Sequence, residues 1–163
     1  MRRRVVTRLP PKTTTLLRSS LKQRALAAGY KSGLEDLTAA QIAAAGLPVN
    51  YETVKVRFVQ PEKARTYTPD FPLDNGIIVE TKGRFETGDR QKHKWIKEQH
   101  PNLEIRFVFS RSSTRLSKKS PTTYAAWCEQ HGFLYADKTI PVKWLSEPVN
   151  GVWKAAIEKA GKK

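Results

Sequence analysis

The chain has 163 residues, a length that suits one domain. Lys and Arg number 30 against 15 Asp and Glu, for a formal net charge of +15, which favours a polyanionic partner, nucleic acid above all. No apolar run approaches the roughly 20 residues of a membrane helix. A single cysteine, Cys128, excludes an internal disulfide framework and a Cys-rich zinc site.

Residues 1–31 carry nine basic residues and no acidic one. With Pro10-Pro11 and the Thr-rich stretch behind them, they read as a basic arm that is flexible or helical only conditionally. A solvated tail is the competing reading. Residues 32–148 read as the folded domain, and 149–163 as a basic tail. No apolar signal segment follows the first arginines, so a reducing cytoplasm is the expected compartment.

Ser32-Gly33-Leu34-Glu35 opens a helix predicted to reach about Ala45, where Gly46 and Pro48 end it. Leu34, Leu37 and Ile42 are its expected buried stripe. A strand over 50–60 follows, with Val54, Val56 and Phe58 on one face. The polar run 61–65 interrupts it, and Thr66 to Phe71 resumes an extended course. Asp74-Asn75-Gly76 is a hairpin signal, and Ile77 to Lys82 a strand. A basic helix is expected over 89–99. A strand over 103–109 places Leu103, Ile105, Phe107 and Phe109 on one face. Ser120-Pro121 is the expected cap of a helix ending at Gly132. A short strand (133–136), a helical turn (141–145) and a tail helix (152–160) complete the chain. The fold class is therefore α/β, a mixed sheet flanked by helices. The unit from Ile77 to Phe109 is expected as a right-handed parallel crossover.

Asp70, Glu80 and Lys82 carry the chemical signal. Strand alternation puts Glu80 and Lys82 on one face, with Thr81 opposite. A three-residue loop centred on Asn75 sets 73 against 77, 72 against 78 and 70 against 80, with Cβ atoms of the two acids about 5 Å apart. A two-residue Asn-Gly turn would slip the register and send Asp70 to the other face. The three-residue loop, with Gly76 in the left-handed region, is the expected form. Two acids so close stay ionised around a divalent cation, and oxygen donors favour Mg²⁺ or Mn²⁺. Lys82 would orient or activate a water and steady a phosphate. Each element has a plainer reading: Glu-Thr-Lys as an ordinary strand face, Glu35 as half of a capping box with Ser32.

Pro69-Asp70 followed by Glu80-Thr81-Lys82 resembles the PD-(D/E)xK nuclease superfamily. SGLED (32–36), TYTPDF (66–71), NGIIVETKG (75–83), KEQHPNLEIRFVFS (97–110) and SPTTY (120–124) resemble the phage endonuclease I family, whose members resolve Holliday junctions. The resemblance implies catalytic roles for Glu35, Asp70, Glu80 and Lys82. It implies a cation held by Asp70, Glu80, the Thr81 carbonyl and Glu35, with one or two ions per site. It also implies an intertwined homodimer that exchanges a segment through a bridge near 60–66, so that Glu35 reaches the partner's site. The expected product ends are 5′-phosphates.

Arg84, Arg90, Lys92, Lys94 and Lys97 form one candidate DNA-binding cluster, and Arg111, Arg115, Lys118 and Lys119 a second. His93 is expected at most to touch a phosphate. The tryptophans read as packing residues. The leading expectation is a structure-selective, metal-dependent endonuclease for branched DNA. A sequence- or mismatch-specific nuclease and a non-catalytic nucleic-acid binder are the alternatives.

Overall fold

A computed structural model describes residues 23–60 and 63–161. Most of the arm, 1–22, and positions 61–62 of the expected bridge lie outside the described residues. Residues 23–27 are helical, and Ala25 is buried. Arg24 pairs with Asp36, and Tyr30 packs edge-on against Tyr51, so the last part of the expected arm lies on the folded body.

Helix α1 spans Gly33–Ala44. Ser32 caps it, its hydroxyl accepting the Glu35 N–H at 3.3 Å. Its buried residues are Glu35, Thr38, Ala39 and Ile42, whereas Leu37 is half exposed. The expected stripe is thus rotated. Helical spacing sets Ile42 over Thr38 and Ala39, not over Leu37, and small residues at 38 and 39 let the helix lie close on the sheet.

Strands β1 (Val56–Gln60) and β2 (Lys63–Tyr67) form a separate antiparallel hairpin. The expected interruption over 61–65 is shorter, because pairing already resumes at Lys63 opposite Gln60. Val56 and Phe58 face inward as their alternation requires, while β2 is exposed as far as Tyr67.

The main sheet is four-stranded and mixed, in the order β3 (Phe71–Pro72), β4 (Ile77–Lys82), β5 (Glu104–Phe109), β6 (Leu134–Asp137). β3 runs antiparallel to β4, while β4, β5 and β6 are parallel. Helix α2 (Thr87–Gln99) makes the crossover from β4 to β5. α3 (Tyr124–His131) connects β5 to β6. Its cap is Thr123, not Ser120, because the Thr123 hydroxyl accepts the Ala126 N–H at 3.1 Å. The chain before it is held extended by a bridge between Arg115 and Thr123. α4 (Val142–Leu145) and α5 (Gly151–Gly161) close the chain.

Both faces of β4 are covered. Ile78 joins an aromatic cluster that includes Phe85, Phe107, Phe109 and Trp127. Ile77 and Val79 pack with Phe71, Ala39, Ile42 and Trp144 on the other side. A strand buried on both faces carries apolar residues in succession, so the polar Glu80-Thr81-Lys82 at its carboxyl end departs from the pattern of the strand.

Candidate active site

The hairpin β3–β4 has the expected register. Phe71 pairs with Val79 and Pro72 with Ile78, which continues to Asp70 opposite Glu80. Leu73 N–H donates to Ile77 O at 2.8 Å, leaving Asp74, Asn75 and Gly76 as a three-residue loop. Gly76 has φ +94°, the left-handed region that a glycine tolerates.

Glu80 is 1% exposed, and its carboxylate is gripped on every side. Oε1 accepts the Tyr67 hydroxyl and the Asp70 N–H (3.2 Å); Oε2 lies 3.0 Å from the Lys82 ammonium. Burial alone would raise its pKa, but the Lys82 charge and then His93 outweigh burial and hold it well below the carboxylate range. Burial works against the Lys82 charge too, and the adjacent Glu80 and Asp70 more than compensate, so Lys82 is held as an ammonium.

Asp70 is the contrasting acid. Its Oδ2 accepts both the Thr81 N–H (2.9 Å) and the Thr81 hydroxyl (3.0 Å). The carboxylate is therefore turned to the strand edge and does not stack face to face with Glu80. Burial, then the charge of Glu80, raises it to about 7. Among the described residues its Oδ1 accepts no hydrogen bond.

The Thr81 carbonyl shares this edge. Ser110 N–H donates to Lys82 O at 3.2 Å, so residue 82 bonds toward β5. Successive residues of a strand bond to opposite edges, which turns the N–H and C=O of Thr81 toward Asp70. The β3 ladder has already ended at Phe71. One free carboxylate oxygen, a second carboxylate and a carbonyl at an unpaired edge form a hard-oxygen donor set, which fits Mg²⁺ or Mn²⁺ by its chemistry.

Glu35 is buried nearby but faces other partners. Its Oε2 accepts the Lys31 N–H (2.7 Å) and the Tyr51 hydroxyl (2.8 Å). It therefore reaches back one residue beyond the Ser32 amide expected of a capping box. Glu52, next to Tyr51, donates its N–H to Asp70 O at 2.9 Å, which ties this region to the site. Lys31 feels Glu52, Glu35 and Asp70 together. Among the described residues no three His, Cys, Asp or Glu side chains converge as a metal cluster. Asp70, Glu80, Thr81 and Lys82 come together, and Glu35 stands behind Tyr51.

His93 does not reach solvent, so it has no route to a phosphate. It is fully buried, its Nδ1 2.8 Å from Asp89 O and its Nε2 3.6 Å from Glu80 Oε2. Tyr67 is the site residue that sequence reasoning missed, and His93 faces Glu80 where a phosphate contact is expected of it. The signal for Tyr67 lay in its position at the only inward-facing end of an otherwise exposed strand.

Of the basic residues, Arg84 and Arg111 follow the carboxyl ends of β4 and β5 and are exposed, and Arg115, Lys118 and Lys119 are exposed further along the second loop. Arg90 is occupied by Phe85 O and the Thr87 hydroxyl. Lys92 lies over the Tyr67 ring. Lys97 bonds Gly132 O above Phe133. Lys94 is partly exposed.

Fold and site together define a mixed α/β protein with a carboxylate–lysine cluster at the carboxyl end of a buried strand. A family model, Phage endonuclease I, matches residues 17–163. Endonuclease I of Escherichia phage T7 is 51% identical over 135 residues, covering 82% of this chain and 91% of that protein. Endodeoxyribonuclease 1 of Enterobacteria phage T3 is 51% identical over 119 residues, covering 73% and 78%. The chain belongs to the phage endonuclease I family.

Proposed function

We propose that this protein is an endodeoxyribonuclease that hydrolyses phosphodiesters in branched DNA, four-way junctions foremost, cutting opposing strands to leave 5′-phosphate ends. The observation that carries this reading is the convergence of Asp70, Glu80, Thr81 and Lys82 at one strand end. Two relatives named as endonucleases support the reaction class.

Asp70, Glu80 and the Thr81 carbonyl would hold the cation, and Glu35 a second one. Bound Mg²⁺, or Mn²⁺ in its place, supplies Lewis-acid neutralisation of the charge on the scissile phosphate. Lys82 would orient or activate the attacking water and donate hydrogen bonds to the phosphate. Tyr67 and the Asp70 N–H keep Glu80 from rotating away. Arg84, Arg111, Arg115, Lys118 and Lys119 bind the DNA backbone around the site, with Lys92 and Lys94 at its margin. Backbone contacts position DNA without reading its sequence, which suits selection by branch shape.

The active form is a two-fold homodimer, since isologous pairing supplies two equivalent sites for paired nicks. Parting β1 from β2 would pass residues up to 60 to the partner. The partner's α1 would then occupy the seat beside β4 that α1 takes here. On this reading the fold is the PD-(D/E)xK core with an exchanged segment, 32–148 is the nuclease domain, and the basic ends add electrostatic attraction. The protein would act in the cytoplasm of the phage's host; among the described residues no helix is long and apolar enough to cross a membrane.

The deciding experiment is a four-way-junction digest beside a mismatch and a plain duplex, with Mg²⁺, with Ca²⁺ and with chelator. Cleavage of the junction in Mg²⁺ alone is expected. Asp70→Ala and Glu80→Lys should shift the junction in a gel and leave it intact. Full cleavage by either variant would overturn the reading.

A further inference from the structure

The loop that sets the catalytic register works against its own sequence. Asn75-Gly76 is the pair that most favours a two-residue turn, and that turn would set 74 against 77 and carry Asp70 off the Glu80 face. β3 offers little resistance, with two paired residues, one of them Pro72. Phe71 and Leu73 favour the observed register through burial. Local turn preference and packing therefore conflict, and something outside the hairpin decides.

That outside element is the segment 144–154. Asn75 is 7% exposed and engages both side-chain polar atoms and its carbonyl. Its Nδ2 donates to Trp144 O (2.9 Å) and Glu147 O (3.3 Å), and its Oδ1 accepts the Ile77 N–H (3.2 Å). Its carbonyl accepts the Asn150 N–H at 3.0 Å. A Cβ on Gly76 would stand 2.8 Å from the Trp153 Cβ and 2.9 Å from the Lys154 nitrogen, so the segment lies directly on the loop. The segment is itself anchored. Arg106, on β5, binds the Glu147 carboxylate with both terminal nitrogens (2.7 and 2.9 Å) and lies over the Trp144 and Trp153 rings.

We propose that residues 144–154 form a strap that locks the register of the catalytic hairpin, with Asn75 as its positioning residue. The strap touches no reacting group. It acts by holding the three-residue loop, so that Asp70 stands opposite Glu80. This inference rests on the nuclease reading for its kinetic arm, and on geometry alone for its structural arm.

The test loosens the strap with Glu147→Ala/Asn150→Ala in the full-length protein. Pro72 and Ile78 form a pair without mutual hydrogen bonds, whose Hα atoms lie close, so a Pro72–Ile78 Hα–Hα cross-peak in the NMR spectrum reports the register directly. The wild type should show it, and the loosened variant should lose it. The kcat on a junction should fall about 100-fold, as displacement by an ångström or more implies. KM should stay within about threefold, because DNA contacts are untouched.

Deleting Asp74 in the loosened background makes Asn75-Gly76 a two-residue loop that still sets 73 against 77. Cross-peak and kcat should both return, a rescue that mere destabilisation would not give. An unchanged cross-peak in the loosened protein, or a deletion that fails to restore it, would overturn the lock. Should the double variant fail to fold, Asn75→Asp, which keeps a turn-favouring pair with Gly76, removes the donors to Trp144 O and Glu147 O and spares the Arg106–Glu147 pair, carries the same cross-peak expectation and the same power to overturn it. A wild type that shows the cross-peak yet cuts no junction in Mg²⁺ would sink the nuclease reading and leave the lock standing.

Discussion

Two hairpins lie in succession along this chain, and they are held in opposite ways. In β3–β4 the loop is strapped from outside, both faces are buried, and the carboxylates tie the strand ends together. In β1–β2 the second strand is exposed along most of its length. The outer part of that hairpin is fastened by polar contacts: Gln99 with the Val59 N–H and carbonyl, and His100 near Arg57 O. Rigidity is concentrated at the residues proposed to carry the chemistry, and latitude lies along the exposed strand β2, next to the proposed crossing to a second subunit. The same backbone pattern serves both purposes because packing, not hydrogen-bond pairing, sets how firmly a hairpin is held.

The largest effect should come from removing the one cation fixed inside the rigid hairpin. Lys82→Met keeps the length of the side chain and leaves Glu80 without its nearest positive charge. The cleavage rate should fall by about 100- to 1000-fold, the range for losing a preorganised donor at a reacting phosphate. Junction affinity in Ca²⁺ should change little. A rate within a few-fold of wild type would mean that Lys82 only balances Glu80.

Next in size is Gly76→Ala. The substitution places a Cβ at φ +94° and against the backbone of the strap. Strain and overpacking together predict a loss of about 2–4 kcal/mol, read as a lower midpoint in urea. Gly46, also at positive φ but with nothing within 4 Å, makes the control. Gly46→Ala should cost clearly less, and equal costs would show that the strap does not press on the loop.

The site also separates two acids that look alike in the sequence. Asp70 is raised from 3.8 to about 7 by burial and then by Glu80, whereas Glu80 is held low. The folded chain therefore keeps a proton on Asp70 that the unfolded chain releases. The stability this gives is complete below about 3.9 and lost as pH rises through about 7. Asp70→Asn removes the effect. In chelator its melting temperature should gain on the wild type as pH goes from about 4 to about 7, by a few degrees. His93, lowered by burial, titrates in both proteins and largely cancels from the difference. Mg²⁺ should raise the wild type at pH 7 more than the variant, and a pH-independent difference would place Asp70 in a more solvated setting.

The rigid hairpin was the more legible of the two. Asp70 opposite Glu80 followed from counting loop residues, because strand alternation is strict and one slip reverses a face. The apolar run at 77–79 and the alternation at 103–109 likewise marked strands that the core requires. What the sequence hides depends on contacts distant along the chain. Tyr67 and His93 meet Glu80 from other elements, and no local period announces that. Leu37 reads as buried by its size, yet the helix turns its small residues Thr38 and Ala39 inward. Glu35 had two readings, cap and site. Ser32 does cap the helix, while the Glu35 carboxylate goes to Lys31 and Tyr51, partners that spacing alone does not specify. The polar run 61–65 reads as a break, yet Lys63, Ala64 and Arg65 pair with β1, because a two-stranded ribbon exposed on one side tolerates polar residues.

The smallest expected effect belongs to the looser hairpin and tests the contrast from that side. Gln99→Ala removes both bonds to Val59, at 2.6 and 2.7 Å, from a place where Val59 itself is 57% exposed. Freed backbone groups there are rehydrated at once, so each bond is worth no more than about 1 kcal/mol. Hydrogen exchange at the Val59 amide should quicken, the amides of β4 should keep their protection, and the global melt should move by a degree or two at most. If β4 amides lost protection in step with Val59, the two hairpins would open as one unit. An exchange of β1 between subunits would then disturb the register of Asp70 and Glu80, and latitude at 63–66 would no longer be compatible with rigidity at 70–82.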